Sequence, residues 1–432
     1  MSEVKVNKIS PRSGTTVTLG DSGDTFTVPS GATFDASNAT TTLPSTVVTT
    51  TGSQTLTNKT IDASQLTGTI TPSDATVTPA KLAYNYNQYR NIIINGDMSI
   101  AQRGTSVSGI NSFGYYTVDR WQFGTNSFGG FTMSQDTDVP TGQGFAYSTK
   151  IDCTTAKTPL SAGDNCQFFT KFEGQMLQYL KKGTANAESL TLSFWVKSNK
   201  TGTYIAELYD DDNNRQISKS YTIDASNTWE KKTLIYDGDT TGAFNNDNNI
   251  SLTLRLWLAS GSTFSSGTLS TTWTSLVQSN RAAGQVNLAD STSNDFWITG
   301  VQLEAGTTAS DFEFLPYDVN LKRCKRYYYT YVNGIDQSIG IGVGYNNNKV
   351  YSHVNFQVEM RAVPSIITSN NTNDFRSRKA NIDTFDTWDG IQTQTKNQSI
   401  PFSSAQVAIA TGEAVWVETN QATALLAFNS EL

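Results

Sequence analysis

Two segments of this chain alternate apolar and polar residues without a break. In "LTLSFWVKS", Leu190, Leu192, Phe194 and Val196 fall on one side, and Thr191, Ser193, Trp195 and Lys197 on the other. In "ISLTLRLWLAS", Ile250, Leu252, Leu254, Leu256 and Leu258 oppose Ser251, Thr253, Arg255 and Trp257. Successive side chains of a strand point to opposite faces, so a strict period of two calls for a sheet with one dry face. The turn-rich pieces "SNKTG", "DDDNN" and "NNDNN" separate such strands, which predicts an antiparallel sandwich. Thr, Val, Ile, Tyr and Phe are abundant and helix formers scarce, so the chain reads as mainly β.

The texture divides the 432 residues into four ranges: 1–85, 86–317, 318–331 and 332–432. The second holds the alternating strands, with "SNDFWITGVQLEAG" expected to close its sandwich. The third, within "DVNLKRCKRYYYTY", reads as a short helical or irregular connector. The fourth is long enough for a small β-sandwich tip, with strands expected near 350–360, 405–410, 414–418 and 424–428. The first is different. In "TTGSQTLTNKTIDASQLTGTI", from Thr50 to Ile70, Leu56, Ile61, Leu66 and Ile70 are the only large apolar residues. That is too little apolar surface to offset the entropy of ordering the segment. Either it is disordered, or several copies intertwine and complete one another's core; the regular spacing favours the second.

Charge excludes some functions. Charged residues are only 16% and the net charge is −7, against the basic field that a duplex-binding surface needs. "KRCKRYYYTY" is the one local basic and aromatic run, and between two β regions it reads as a solvated linker. "MSEVKVNKIS" has no apolar signal region, and no apolar run approaches bilayer length, so neither secretion by a signal peptide nor membrane insertion is expected. Three cysteines do not make a disulfide framework, and Cys153 and Cys166 read as buried thiols. The single histidine, His353, lies on the polar side of "KVYSHVNFQVEM" and reads as solvated. "DDDNNRQISKSY" lacks the glycine and terminal glutamate of an EF-hand loop, and no helix pattern follows "GIGVGYNNN" to hold a phosphate.

"GSQTLTNKTID" with the Thr/Gly-rich run around it resembles the shaft segments of bacteriophage tail fibres. "NIIINGDMSIAQRGTS", "VDRW", "LTLSFWVKSNKTGTY" and "FWITGVQLEAGTTASDFEFLPYDVNLKRCKRYY" resemble a domain that recurs in phage tail-fibre proteins. "INGDM" and "ITGVQLE" also look like the first and last strands of carbohydrate-binding jelly-roll modules. The resemblance implies a parallel homotrimer, with 1–85 forming an intertwined region that attaches to a phage tail or baseplate protein. It implies a central jelly roll and a C-terminal tip that meet a host-surface glycan, on a virion assembled in the host cytoplasm. It also implies a structural calcium ion at Asp97, Asp119 and Glu304, the positions where the resembling jelly rolls often hold one.

For the glycan, Trp195 with Lys197 and Trp257 with Arg255 are the main candidates. Each pair sets an indole beside a cation on an otherwise polar strand face, suited to the C–H face and hydroxyls of a sugar. Such a face is equally suited to cover by a loop or a neighbouring protomer. Trp297 and Trp121 read as core. In the tip, Tyr345 and Trp388 lie in stretches read as loops, where specificity varies. No carboxylate pairing is visible, so a non-enzymatic receptor-binding fibre is expected, with a polysaccharide depolymerase and a purely structural connector as the alternatives.

Overall fold

A computed structural model of the chain describes residues 89–432 apart from 127, 347, 348, 381 and 405–408, together with 9, 11, 13–16, 22–25, 27, 28 and 30–33. The chain divides into two compact units, Met1–Ser73 and Asp74–Leu432, and every element named below belongs to the second. Thr50–Ile70, expected to form the intertwined shaft, lies outside the described residues.

Among the described residues, twelve strands build a sandwich: β1 (Ser106–Ile110), β2 (Gln122–Thr125), β3 (Gly130–Asp136), β4 (Ser148–Thr155), β5 (Asn165–Glu173), β6 (Leu190–Ser198), β7 (Gly202–Asp210), β8 (Arg215–Ile223), β9 (Glu230–Tyr236), β10 (Ile250–Ser260), β11 (Thr274–Ser275) and β12 (Asp295–Ala305). They form two antiparallel six-stranded sheets, ordered β1-β3-β4-β12-β6-β9 and β11-β8-β7-β10-β5-β2. The two alternating segments become β6 and β10, one in each sheet, and their apolar faces meet in a common core. Leu192, Phe194, Val196, Leu252, Leu254 and Leu256 are wholly buried there. Phe194 packs edge-on against Tyr221 of the facing sheet at 5.0 Å. Trp121 stacks on Phe168 at 4.6 Å and donates its indole N–H to the carbonyl of Asn95. Cys153, Cys166 and Cys324 are buried free thiols.

The segment expected to close the sandwich is its last strand in chain order and lies in the middle of the first sheet: β12 pairs with β4 on one side and β6 on the other. Its register with β6 shifts between Thr299 and Gln302, where Gly300 takes a φ of +62°. A side chain at Gly300 would strike the ring of Phe145, 2.5 Å from where its Cβ would stand. This bulge reverses which residues face inward. Val301 and Leu303 point into the core, while Trp297, before the bulge, points out.

Among the described residues, eleven further strands make the tip: β13 (Tyr328–Asn333), β14 (Ser338–Asn346), β15 (Lys349–Ser352), β16 (Val354–Asn355), β17 (Ser365–Thr368), β18 (Phe375–Lys379), β19 (Ile382–Asp386), β20 (Gly390–Gln394), β21 (Gln398–Ser404), β22 (Ala414–Thr419) and β23 (Leu425–Asn429). A three-stranded sheet, β13-β23-β17, packs on an eight-stranded one whose path runs β16-β21-β15-β14-β22-β18-β19, with β20 on β21. Tyr329, Leu426 and Phe428 of the smaller sheet meet Val350, Val415 and Val417 of the larger. The long strand expected over 350–360 breaks at His353, which is exposed and hydrogen-bonds Gln398 at 3.0 Å. The strand expected at 405–410 falls mostly outside the described residues.

The basic connector is not a solvated linker. It forms the helix Tyr317–Lys325, and the cations and tyrosines that follow join sandwich to tip. Arg326 makes a two-pronged bond to the buried carboxylate of Glu173 at 2.8 and 2.7 Å, and the hydroxyl of Tyr327 donates to the same group at 2.5 Å. Arg120 lies over the Tyr327 ring at 3.5 Å and pairs with Glu431, while Arg103 lies over Tyr328 at 3.6 Å. Of the four cations in this run, Arg326 is thus ion-paired and Lys325 hydrogen-bonds Gln357 at 2.7 Å, while Lys322 is exposed.

Candidate carbohydrate platform

The bulge at Gly300 builds the most distinctive surface of the sandwich. On the outer face of the first sheet, Trp297 stands opposite Lys197 of β6, and Thr299 opposite Trp195. Trp195 in turn stands opposite Lys231 of β9, the edge strand, and Trp229 immediately precedes that strand. Three of the eight tryptophans of the chain therefore share one end of one sheet face.

Two of these rings are locked in place. The indole N–H of Trp229 donates to Oδ1 of Asp138 at 2.9 Å, and that of Trp297 to Oδ2 of Asp136 at 3.3 Å. Lys197 is inserted between them, with its Nζ 4.2 Å from the Trp297 ring centre and 5.5 Å from that of Trp229, and it pairs with Asp138. Burial opposes ionisation of Asp138, but the donors Lys197 and Trp229 together outweigh it and hold the carboxyl below its ordinary range. It is thus an acceptor across neutral pH and a poor source of protons. The hydroxyl of Ser148 bonds the Asp138 carbonyl at 2.6 Å and fixes the loop that carries both carboxylates.

Trp195 differs from the other two. It is half-buried, and its indole N–H makes no hydrogen bond among the described residues. Lys231 and Thr233 beside it are exposed. The result is an open indole with a free N–H and the Lys231 ammonium group opposite it. A sugar ring can lay its C–H face on such an indole and exchange hydrogen bonds at its edge.

The other predicted residues are dispersed. Trp257 lies on the outer face of the second sheet, across the sandwich from Trp195, so the two do not form one platform. A loop covers it: Phe264 packs at 5.3 Å, and Leu269 and Ala282 complete the cover. Its N–H donates to the buried Glu207 at 3.1 Å, which Arg281 also binds at 2.7 and 2.9 Å. Arg255 is drawn into this group, 3.9 Å from Glu207 and over the ring of Tyr209 at 4.7 Å. In the tip, Trp388 is 8% exposed and packs on Phe375 at 5.5 Å, which makes it core. Tyr345 is 61% exposed at the end of β14, tilted against Tyr351 at 5.0 Å.

The implied calcium ligands do not come together. Asp97 accepts from Asn320 at 3.1 Å, and Glu304 from the N–H and hydroxyl of Ser310. Asp119 accepts from Gln102 and lies 3.5 Å from Arg103. Among the described residues no three Asp, Glu, His or Cys side chains gather to hold a metal, so this donor set does not fit the ion.

Asp119 has another consequence. Complete burial pushes its carboxyl up to about 7, against the pull of Arg103 and Gln102. A raised acid contributes stability that is whole below its ordinary value of 3.8 and is lost as pH rises through about 7. The loss is about 1.4 kcal/mol per pH unit between those values. Asp119→Asn should flatten this part of the profile, read as urea midpoints at pH 5 and 7.5. Parallel profiles for variant and wild type would contradict it.

The sequence reading found Trp195 and Lys197 but missed Trp229 and Asp138. Trp297, read as core, is 8% exposed and so buried, but on the outer side of the sheet rather than between the sheets, because the register shift at Gly300 separates it from the parity of Val301 and Leu303. A glycine inside a strand is the available signal for a bulge there.

No protein-family model matches the chain, and no curated protein matches it. Among solved structures, similar ones include the enzymatically active domain of tailspike protein 4 from bacteriophage CBA120, at TM-score 0.28 and 15% identity over 50% of this chain. This chain spans only 22% of that tailspike chain. TmCBM61 in complex with β-1,4-galactotriose aligns at TM-score 0.26 and 11% identity, over 50% of this chain and 99% of that one. The tandem CBM22-1–CBM22-2 domain of Paenibacillus barcinonensis Xyn10C aligns at 0.23 and 10%, over 77% and 97%. Likenesses this distant do not identify binding residues in this chain.

Proposed function

We propose that the protein is a non-catalytic, homotrimeric receptor-binding fibre of a phage tail, and that it holds a host-surface glycan on the outer face of the first sheet. The observation that carries the binding reading is the tryptophan cluster, with two indoles pinned by Asp136 and Asp138 and the third open. Trp195 supplies the stacking surface, Lys231 and the Trp195 N–H donate, and Asp138 accepts. Attachment to the tail through 1–85, and assembly as a trimer, are supported by the tail-fibre resemblance of the sequence. Each contact is weak, and adsorption gains strength when several fibres engage one cell.

The test is binding of labelled full-length protein to host cells, with Trp195→Ala as the variant. Loss of a central tryptophan contact is expected to cut affinity at least tenfold, while the melting temperature stays within a degree or two. Undiminished binding by a Trp195→Ala, Trp229→Ala double variant would remove this face from the reading. Release of reducing ends from host polysaccharide would replace it with the depolymerase alternative.

A further inference from the structure

The fold leaves the guanidinium of Arg255 without a hydrogen bond. Its side chain is only 14% exposed. Its Nη1 is buried with no acceptor, and its other N–H groups bond nothing among the described residues. A buried donor in that state calls for an explanation. Glu207 does not satisfy it: that carboxylate stands 3.9 Å away and is taken by the two-pronged bond from Arg281 and by Trp257. Asp211 accepts instead from the Thr253 hydroxyl at 2.7 Å. Burial works against the charge of both arginines. Glu207 outweighs it for Arg281, which is raised above its ordinary range, but not for Arg255, which is lowered. Lys171, opposite Thr253, bonds only the carbonyl of Leu432. Three cations therefore face two carboxylates, and the group keeps one positive charge.

The surrounding surface narrows what would complete it. One row of register partners crosses the outer face of the second sheet from β7 to β2: Glu207, Arg255, Phe169 and Gln122. Arg255 lies over the ring of Tyr209 at 4.7 Å, and across the row Phe113, 41% exposed, meets Phe169 edge-on at 5.9 Å. A guanidinium steadied on a ring presents its fork as a unit, the geometry that grips a carboxylate with two parallel bonds. One carboxylate balances the surplus charge, whereas a phosphate dianion would exceed it and face Asp211. The half-buried Tyr209 and the exposed Phe113 offer flat apolar surfaces to a sugar ring.

We propose that this face is a second binding site and takes a sugar bearing a carboxylate. The Nε–Nη2 edge of Arg255 holds the acid, and Tyr209 and Phe113 flank the ring. The site lies across the sandwich from Trp195 and does not depend on that platform. The test presents the full-length chain to immobilised glycans, each uronate- or sialate-bearing chain beside its carboxyl-reduced counterpart. Binding at least tenfold tighter to acidic chains of one of these two kinds is expected, and the kind retained identifies the source of the acid. Arg255→Gln should weaken it at least tenfold, and Arg255→Lys, which keeps the charge but lacks the fork, nearly as much. Because Arg255 makes no hydrogen bond, both variants should melt close to wild type. Trp195→Ala should leave acidic binding in place. Equal binding to both members of every pair, no binding to any acidic chain, or acidic binding that survives both Arg255 variants would overturn this site. Acidic binding lost in Trp195→Ala and kept in Arg255→Gln would overturn it in favour of the first sheet.

Discussion

Glu173→Ala is expected to loosen the tip from the sandwich and to cost about 3–5 kcal/mol of stability, the usual effect of leaving a buried charge without its partner. Glu173 ends β5, and its side chain is closed off from solvent. Burial opposes its ionisation, yet the Arg326 fork and the Tyr327 hydroxyl outweigh it and hold the carboxyl low. Gln175 adds a further donor at 2.5 Å. Alanine would leave the guanidinium and the phenol facing an empty space. Tryptic cleavage within 322–326 should then become rapid, because the basic run would lose its docking partner. Glu173→Leu combined with Arg326→Leu should recover much of the loss, since it removes both charges together. A single variant as stable and as protease-resistant as wild type would show that the junction is held elsewhere.

Glu207→Ala is expected to have a comparable effect elsewhere on the same sheet of the sandwich. Glu207 is fully buried on β7 and binds Arg281 and the indole of Trp257 together. It thereby fastens the loop carrying Phe264, Leu269 and Ala282 over the sheet. Without it Arg281 has no counter-charge, and a loss of about 3–5 kcal/mol is expected. The specific reading is tryptophan emission. The variant should show a red shift and stronger acrylamide quenching at temperatures below its unfolding transition, and Trp257→Phe should abolish that difference. Unchanged quenching would mean that apolar packing alone keeps the loop closed.

How far the sequence leads depends on the kind of information each feature needs. Strict alternation in β6 and β10 is local, and it located both sheets and the side of each strand that is buried. The face of Trp195 and Lys197 followed from the same count. Position within the sheet is not local: nothing in "SNDFWITGVQLEAG" says that it lies between β4 and β6. Nor does periodicity say what lies above a face. Trp195 and Trp257 have equivalent patterns, yet one is open and the other lies under a loop anchored by Arg281, more than twenty residues downstream of Trp257. The "GIGVGY" stretch alternates glycine with large apolar residues, but which of the two sets faces outward in β14 needed the register.

The central place of β12 also sets a timetable. Strands β4 and β6 are made early, but the strand that lies between them starts at Asp295, 97 residues after Ser198 ends β6. At ordinary translation speeds that interval is roughly 5–20 s. Throughout it, the inner faces of both strands and their unpaired edges stand open on the ribosome, available to strands of neighbouring nascent chains. Completion of the first sheet is therefore a late event, and a transcript truncated before Ala305 would yield a chain unable to close its core. Ribosome-nascent-chain complexes stalled on either side of that point would differ in protease resistance as sharply as unfolded and folded protein.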